Sequence, residues 1–234
     1  MVETELECPD DAEDLYLAAT RDEVDTSRPV LTGDVFEDVA IPGVDGTGLG
    51  IVLTHPCSMR TDGVTLARRL LMARVSASGK IPLKSWKTGH FKVMPLPLLM
   101  GRHYSALFDE MGMVKSPILR ATHRMACLTP FGINLLQQRF VWYLTRFLAP
   151  THRLGEASEA VFEEVDLCAE WVSEATSAGG DPTAAEQAFH EWIRSSDESG
   201  SRRQDLLRER QRRAGLRQEM RRRISMGEST TSCQ

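Results

Sequence analysis

Four of the chain's five lysines, Lys80, Lys84, Lys87 and Lys92, fall between residues 80 and 92, with Trp86, His90 and Phe91 among them. Ammonium groups meet phosphates, and an aromatic ring stacks on an unpaired base, so this composition suits a nucleic-acid contact on a mobile loop bounded by Gly79 and Gly89. Arg68 and Arg69 extend the basic character upstream, as one face over 68–124. The competing reading is a solvated loop whose Trp86 and Phe91 point into the core. A second basic element lies near the C-terminus, where ten arginines fall between 202 and 223. Arg212, Arg213 and Arg217 are its representative candidates for contacting nucleic acid or an acidic protein surface. Asp205, Glu209 and Glu219 lie among them and offer helix-spaced pairing instead.

A third constellation is Thr54-His55-Pro56-Cys57-Ser58-Met59-Arg60, expected at the end of a buried strand. Cys57 two residues from His55 invites a thiol-nucleophile reading. The alternatives are a structural turn, with His55 bonded to backbone and Cys57 buried, and a ligand pocket lined by His55, Cys57 and Arg60. No third orienting group stands out, so no residue is designated catalytic. Asp34 follows Gly33 and reads as a turn cap rather than a base. The histidines show neither H-x-x-x-H nor H-x-E spacing and the cysteines no C-x-x-C pair. No metal site and no cofactor is therefore expected. Gly46-Thr47-Gly48-Leu49-Gly50 precedes a strand rather than a helix, the wrong context for a phosphate loop.

These candidates sit in a chain whose charge is segregated. Residues 1–50 hold 14 acids and 2 bases, 51–150 hold 14 bases and 3 acids, 151–200 hold 12 acids and 2 bases, and 201–234 hold 10 arginines and 4 acids. The formal net charge of −5 conceals this. Such blocks bear on partners and self-docking rather than on fold. Five widely spaced cysteines read as reduced thiols, and the acidic N-terminus lacks a signal-peptide pattern, so a cytoplasmic location is expected. The most apolar stretch, near 131–148, contains Asn134, Gln137, Gln138, Arg139 and Arg146, unsuited to a membrane span.

Four regions are expected to position the candidates. Residues 1–27 read as an acidic disordered arm. Residues 28–130 read as β-rich, with strands near 35–41, 49–54, 70–75, 91–96, 111–114 and 118–128 forming a small barrel or sandwich. Residues 131–195 read as helices packed on it. Thr129-Pro130 starts the first helix and Pro150 stops it. The second covers about 156–177, with Val165, Cys168 and Val172 inward, and Asp181-Pro182 opens a third with Phe189, Trp192 and Ile193 on one face. Residues 196–234 read as a linker and an arginine-rich helix over 202–225 that does not pack firmly, ending in ten loose residues.

Gly33-Asp34-Val35-Phe36, a loop, and then Ile51-Val52-Leu53-Thr54 resemble the opening of the PemK/MazF-type toxins. The resemblance covers residues 33–76 and implies an SH3-like barrel that cleaves RNA. In that family an Arg-Pro pair introduces the second strand. Here Gly48-Leu49-Gly50 stands there and Arg28-Pro29 comes earlier, so no catalytic residue is carried over.

The sequence thus predicts an α+β chain, a small SH3-like or similar antiparallel β-barrel followed by a helical C-terminal half. Its leading function is non-catalytic nucleic-acid binding, as an accessory protein of a phage-defence or mobile-element system. An endoribonuclease toxin of the PemK/MazF type is one alternative. A protein–protein adaptor that uses complementary charge blocks, as a homo-oligomer or within a larger complex, is the other.

Overall fold

The alternating and apolar runs condense into a seven-stranded antiparallel sheet in the computed structural model, which describes residues 5–60 and 65–226. The strands are β1 (Tyr16–Ala18), β2 (Val35–Ala40), β3 (Thr47–Val52), β4 (Arg69–Ala77), β5 (Val93–Leu99), β6 (Arg102–Lys115) and β7 (Arg124–Leu128). Their spatial order is β1-β7-β2-β3-β4-β6-β5. The sheet is open, with β1 and β5 at its edges, so the expected α+β antiparallel class is met without a closed barrel. One hydrogen bond joins the segments just beyond the two edges, Met100 N–H to Ala19 O at 2.9 Å. Pro95 and Pro97 in β5 lack the N–H of a central strand, which suits them to an edge.

Three strands differ from expectation: β7 begins only at Arg124, because Ser116–Ile118 and Ala121–His123 are 3-10 turns. β6 runs 14 residues, far beyond the apolar 111–114, because it pairs with β4 on one side and β5 on the other. A bulge at Ala73/Arg74 shifts the register, so that Ala73 faces Met111 while Arg74 faces Leu107. β1 belongs to the supposedly disordered arm. Described residues of that arm are packed instead: β1 pairs with β7, Leu6 and Leu15 are buried, and the Glu7 carboxylate accepts bonds from Gln138 Nε2, Thr151 N and Thr151 Oγ1. Acidic composition misleads here because a few buried leucines and one satisfied carboxylate suffice to fasten the segment. The expected looseness of the final ten residues falls almost wholly outside the described ones.

Contacts divide the chain into two units. The first runs through Val24 and from Val30 to Ser158. It contains the sheet and α1 (Pro130–Thr145), whose Thr129 hydroxyl accepts from Gly132 N at 3.0 Å while Pro130 fills the first turn. α1 ends at Arg146, which takes a left-handed φ of +61°, before Pro150 is reached. It packs on the sheet through Ile133, Leu136 and Phe140, the last against Phe108 at 5.5 Å.

The second unit comprises Asp25–Pro29 and the chain from Glu159 onward. It takes most of α2 (Thr151–Ser177), then α3 (Pro182–Arg194), α4 (Arg203–Leu206) and α5 (Arg210–Ser225). Of the helices expected on the sheet, α1 is there, whereas the later part of α2 and all of α3 build a separate core. Asp181 caps α3 by accepting from Ala184 N at 2.8 Å. Trp171 meets Phe189 and Trp192 at 5.9 and 5.5 Å, among Leu167, Cys168, Val172 and Ile193. The arginine-rich helix was expected to stand away, yet Leu207, Leu216 and Met220 are buried in this same core. Its apolar stripe is thin, but every third or fourth position is enough for one packed face.

Candidate nucleic-acid interface

The lysine segment is fastened rather than loose. Leu83–Trp86 forms a short 3-10 helix, Trp86 is fully buried, and Lys80, Lys84, Lys87 and Lys92 are exposed. Arg139 of α1 holds the segment from beneath. Its guanidinium donates to Trp86 O (3.0 Å), Gly89 O (3.1 Å) and His90 O (2.7 Å), and its Nε to Val93 O (3.0 Å). It also lies over the Trp86 ring, 5.7 Å from the centroid. Burial lowers its pKa to about 10, so it remains a cation at neutral pH. Five donors in a planar fork are what allow one side chain to satisfy several carbonyls at once.

This placement splits the aromatic candidates. Trp86 has no face open to a base, because it is core. Phe91 is half-buried and packs against Trp142 of α1 with ring centroids 5.9 Å apart. The two rings line a cleft of about 280 Å³ together with Glu5, Leu6, Lys87, Thr88 and Leu148. Among the described residues none of the four lysines has an ion-pair partner. Trp142 was not singled out from sequence, because its spacing marks only a helix face. Its pairing with Phe91 is a product of the tertiary fold.

Arg68 and Arg69 are exposed but stand elsewhere. Arg69 opens β4 and Lys80 follows the far end of that nine-residue strand, whose ends lie about 26 Å apart. The single basic face expected over 68–124 is therefore divided between two ends of the sheet. Arg69 instead faces Lys115 directly across β4 and β6, and both line a shallow cleft with Met113 and Ile118.

His55, Cys57 and Arg60 surround a turn. The chain leaves β3, and Pro56–Ser58 makes a 3-10 helix capped by His55, whose Nδ1 accepts from Cys57 N at 3.3 Å. Burial lowers the His55 pKa below its usual value, so the ring stays neutral, with the proton on Nε2. Cys57 is exposed rather than buried, and its Sγ lies 3.4 Å from Ala157 O. Arg60 Nη2 donates to Val30 O at 3.4 Å. Asp34 is a turn cap: its Oδ2 accepts from Leu31 N at 2.9 Å, beside Gly33 at φ +82°. The same carboxylate meets Arg124 at 3.3 Å in a fully buried pair.

No family model and no curated protein matches this chain.

The arginine helix is paired inside its own unit. Arg210 and Arg213 meet Glu159, Arg217 meets Glu163 and Glu170, and Arg221 meets Glu170, at 2.5–3.9 Å. The residue numbers rise together, so α2 and α5 run side by side in the same direction. Hydrogen bonding from Arg213 holds the Glu159 carboxyl below the ordinary range. Of the three representative arginines, Arg213 and Arg217 are thus committed to α2. Arg212 is exposed and has Glu209, 3.6 Å away on its own helix, as its partner.

Proposed function

We propose that the chain binds single-stranded nucleic acid without acting on it chemically, through the Lys80–Lys92 segment and the adjoining Phe91–Trp142 cleft. The observation that carries this reading is the unpaired state of four exposed lysines beside two partly accessible rings, on a segment pinned through Arg139. Pinning lowers the ordering cost of binding, and the rings offer a stacking surface that accepts any base. The His55–Cys57 turn is satisfied by backbone contacts and is assigned a structural role. An accessory role in a phage-defence or mobile-element system fits a sequence-tolerant binder.

Fluorescence anisotropy of a labelled oligonucleotide across a salt series tests this. Each phosphate neutralised contributes about −0.7 to the log–log salt slope for a single strand, so four lysines predict up to about −3. Lys84→Ala with Lys87→Ala reduces that slope by about 1.4. Phe91→Ala weakens single-strand binding more than duplex binding. Absence of affinity at low salt, or an unchanged slope in the double variant, refutes the proposal. Cleavage of an RNA probe would favour the toxin-like alternative instead.

A further inference from the structure

Cys168 of α2 and Glu186 and His190 of α3 converge within the second unit, each offering one ligand atom, with all three atoms within 4.8 Å of one another. Glu186 and His190 stand one helical turn apart, with Nε2 to Oε1 at 3.7 Å. We infer that these three side chains form a site for a thiophilic divalent cation of the zinc type, clamping α2 to α3. One thiolate, one imidazole and one carboxylate are donors that zinc takes together, whereas magnesium and calcium seek oxygen alone.

The dimensions fit. Zinc–ligand bonds of about 2.0–2.3 Å place tetrahedral ligand atoms about 3.3–3.7 Å apart, so the widest pair needs to close by at most about 1.5 Å. Side-chain rotation supplies that. The site is also layered as a cation requires. Cys168 and His190 are buried, at 1% and 6% exposure, while the Glu186 side chain is 47% exposed. The ion enters past Glu186, and water completes the fourth position on that side. His190 presents Nε2 toward Glu186, while its Nδ1 is enclosed without a hydrogen-bond partner among the described residues. Binding replaces the Cys168 thiol proton by the metal and releases that proton to solvent. The surrounding aromatics, Trp171, Phe189 and Trp192, exclude water from the sulfur side and make the role a structural one.

The site escapes a search for paired histidines because it is a Glu-x-x-x-His pair on one helix completed by a cysteine 18 residues earlier on another.

The test is titration of the full chain, freed of metal, with cobalt(II), followed by competition with zinc. A thiolate-to-cobalt charge-transfer band and visible bands of tetrahedral intensity are expected at one equivalent, reversed by zinc. Zinc is expected to raise the melting temperature. Cys168→Ser abolishes the charge-transfer band, and Cys57→Ser leaves it. His190→Gln and Glu186→Gln each weaken cobalt binding by more than the about 10–100-fold typical of an outer-shell change. Glu186 is half-exposed, so its variant retains the fold even if Cys168→Ser does not. No charge-transfer band in the native chain, its persistence in Cys168→Ser, or unchanged affinity in Glu186→Gln overturns the inference. In those cases the trio is a packing cluster alone.

Discussion

Replacing Arg139 by methionine keeps a long side chain in place but removes every donor. The structure sets the size of the effect. Four charge-assisted hydrogen bonds, to Trp86 O, Gly89 O, His90 O and Val93 O, are lost. At about 1.5–2 kcal/mol each they amount to about 6–8 kcal/mol. Against this stands the cost of burying the guanidinium. A pKa lowered from 12.5 to about 10 corresponds to about 3 kcal/mol, which the variant recovers. The net destabilisation is therefore about 3–5 kcal/mol, in the range for breaking a buried charged network by removing one member. For a chain of this length that lowers the melting temperature by about 6–20 °C. Calorimetry measures it, and limited proteolysis should map new cleavage to 84–93. Arg139→Lys should recover little, since an ammonium lacks the planar fork. Oligonucleotide affinity should fall although no lysine has been altered. A melting temperature within about 2 °C of wild type, with the segment still protected, would refute the view that Arg139 organises the interface.

Asp34→Asn leaves Arg124 buried beside a neutral partner and should cost about 3–5 kcal/mol in a urea unfolding series, while a well-packed apolar replacement of both residues recovers part of that loss. Gly132→Ala should destabilise despite alanine's better helix propensity, because its Cβ would press on the Leu15 carbonyl oxygen. A melting temperature that rises would contradict that contact. The Glu159 carboxyl has a folded pKa below its unfolded one, so its stabilising contribution is present above the ordinary carboxylate range and disappears as pH falls through the lower folded value. Urea midpoints recorded from about pH 5 to about pH 3 should decline, and less steeply in Glu159→Gln; equal slopes would exclude the Arg213 pairing as the cause.

Local chemistry was legible where it is set by neighbours in sequence. Thr129-Pro130 and Asp181-Pro182 opened helices as their hydroxyl and carboxylate dictate, and Asp34 capped its turn. Alternation located β2, and the apolar run located β3. What failed depends on partners far along the chain. β6 carries Ser105, Asp109 and Glu110, which break its apolar pattern, and it is a strand because β4 and β5 flank it. β1 is three residues inside an acidic segment and exists through β7. Trp86 went to the core and Trp142 to the cleft for the same reason. An indole's contact with a buried arginine 53 residues away leaves no periodic trace.

The block charges take on a different meaning once the pairs are placed. The acidic stripe Glu159, Glu163 and Glu170 recurs at helical spacing, and Arg213, Arg217 and Arg221, one turn apart on α5, answer it. These half-buried pairs keep contact with solvent, where an ion pair contributes only about 0–1 kcal/mol, so they set register more than they hold α5 down. The holding is done by Leu207, Leu216 and Met220. The most arginine-rich segment of the chain, which composition alone marks as the stronger nucleic-acid candidate, is therefore largely answered within its own unit. The lysine segment carries fewer charges, but its ammonium groups have no such answering stripe among the described residues, and a buried cation holds its backbone in place. A phosphate chain responds to cations that are both unpaired and preorganised. By that measure four lysines between 80 and 92 outweigh the ten arginines near the C-terminus.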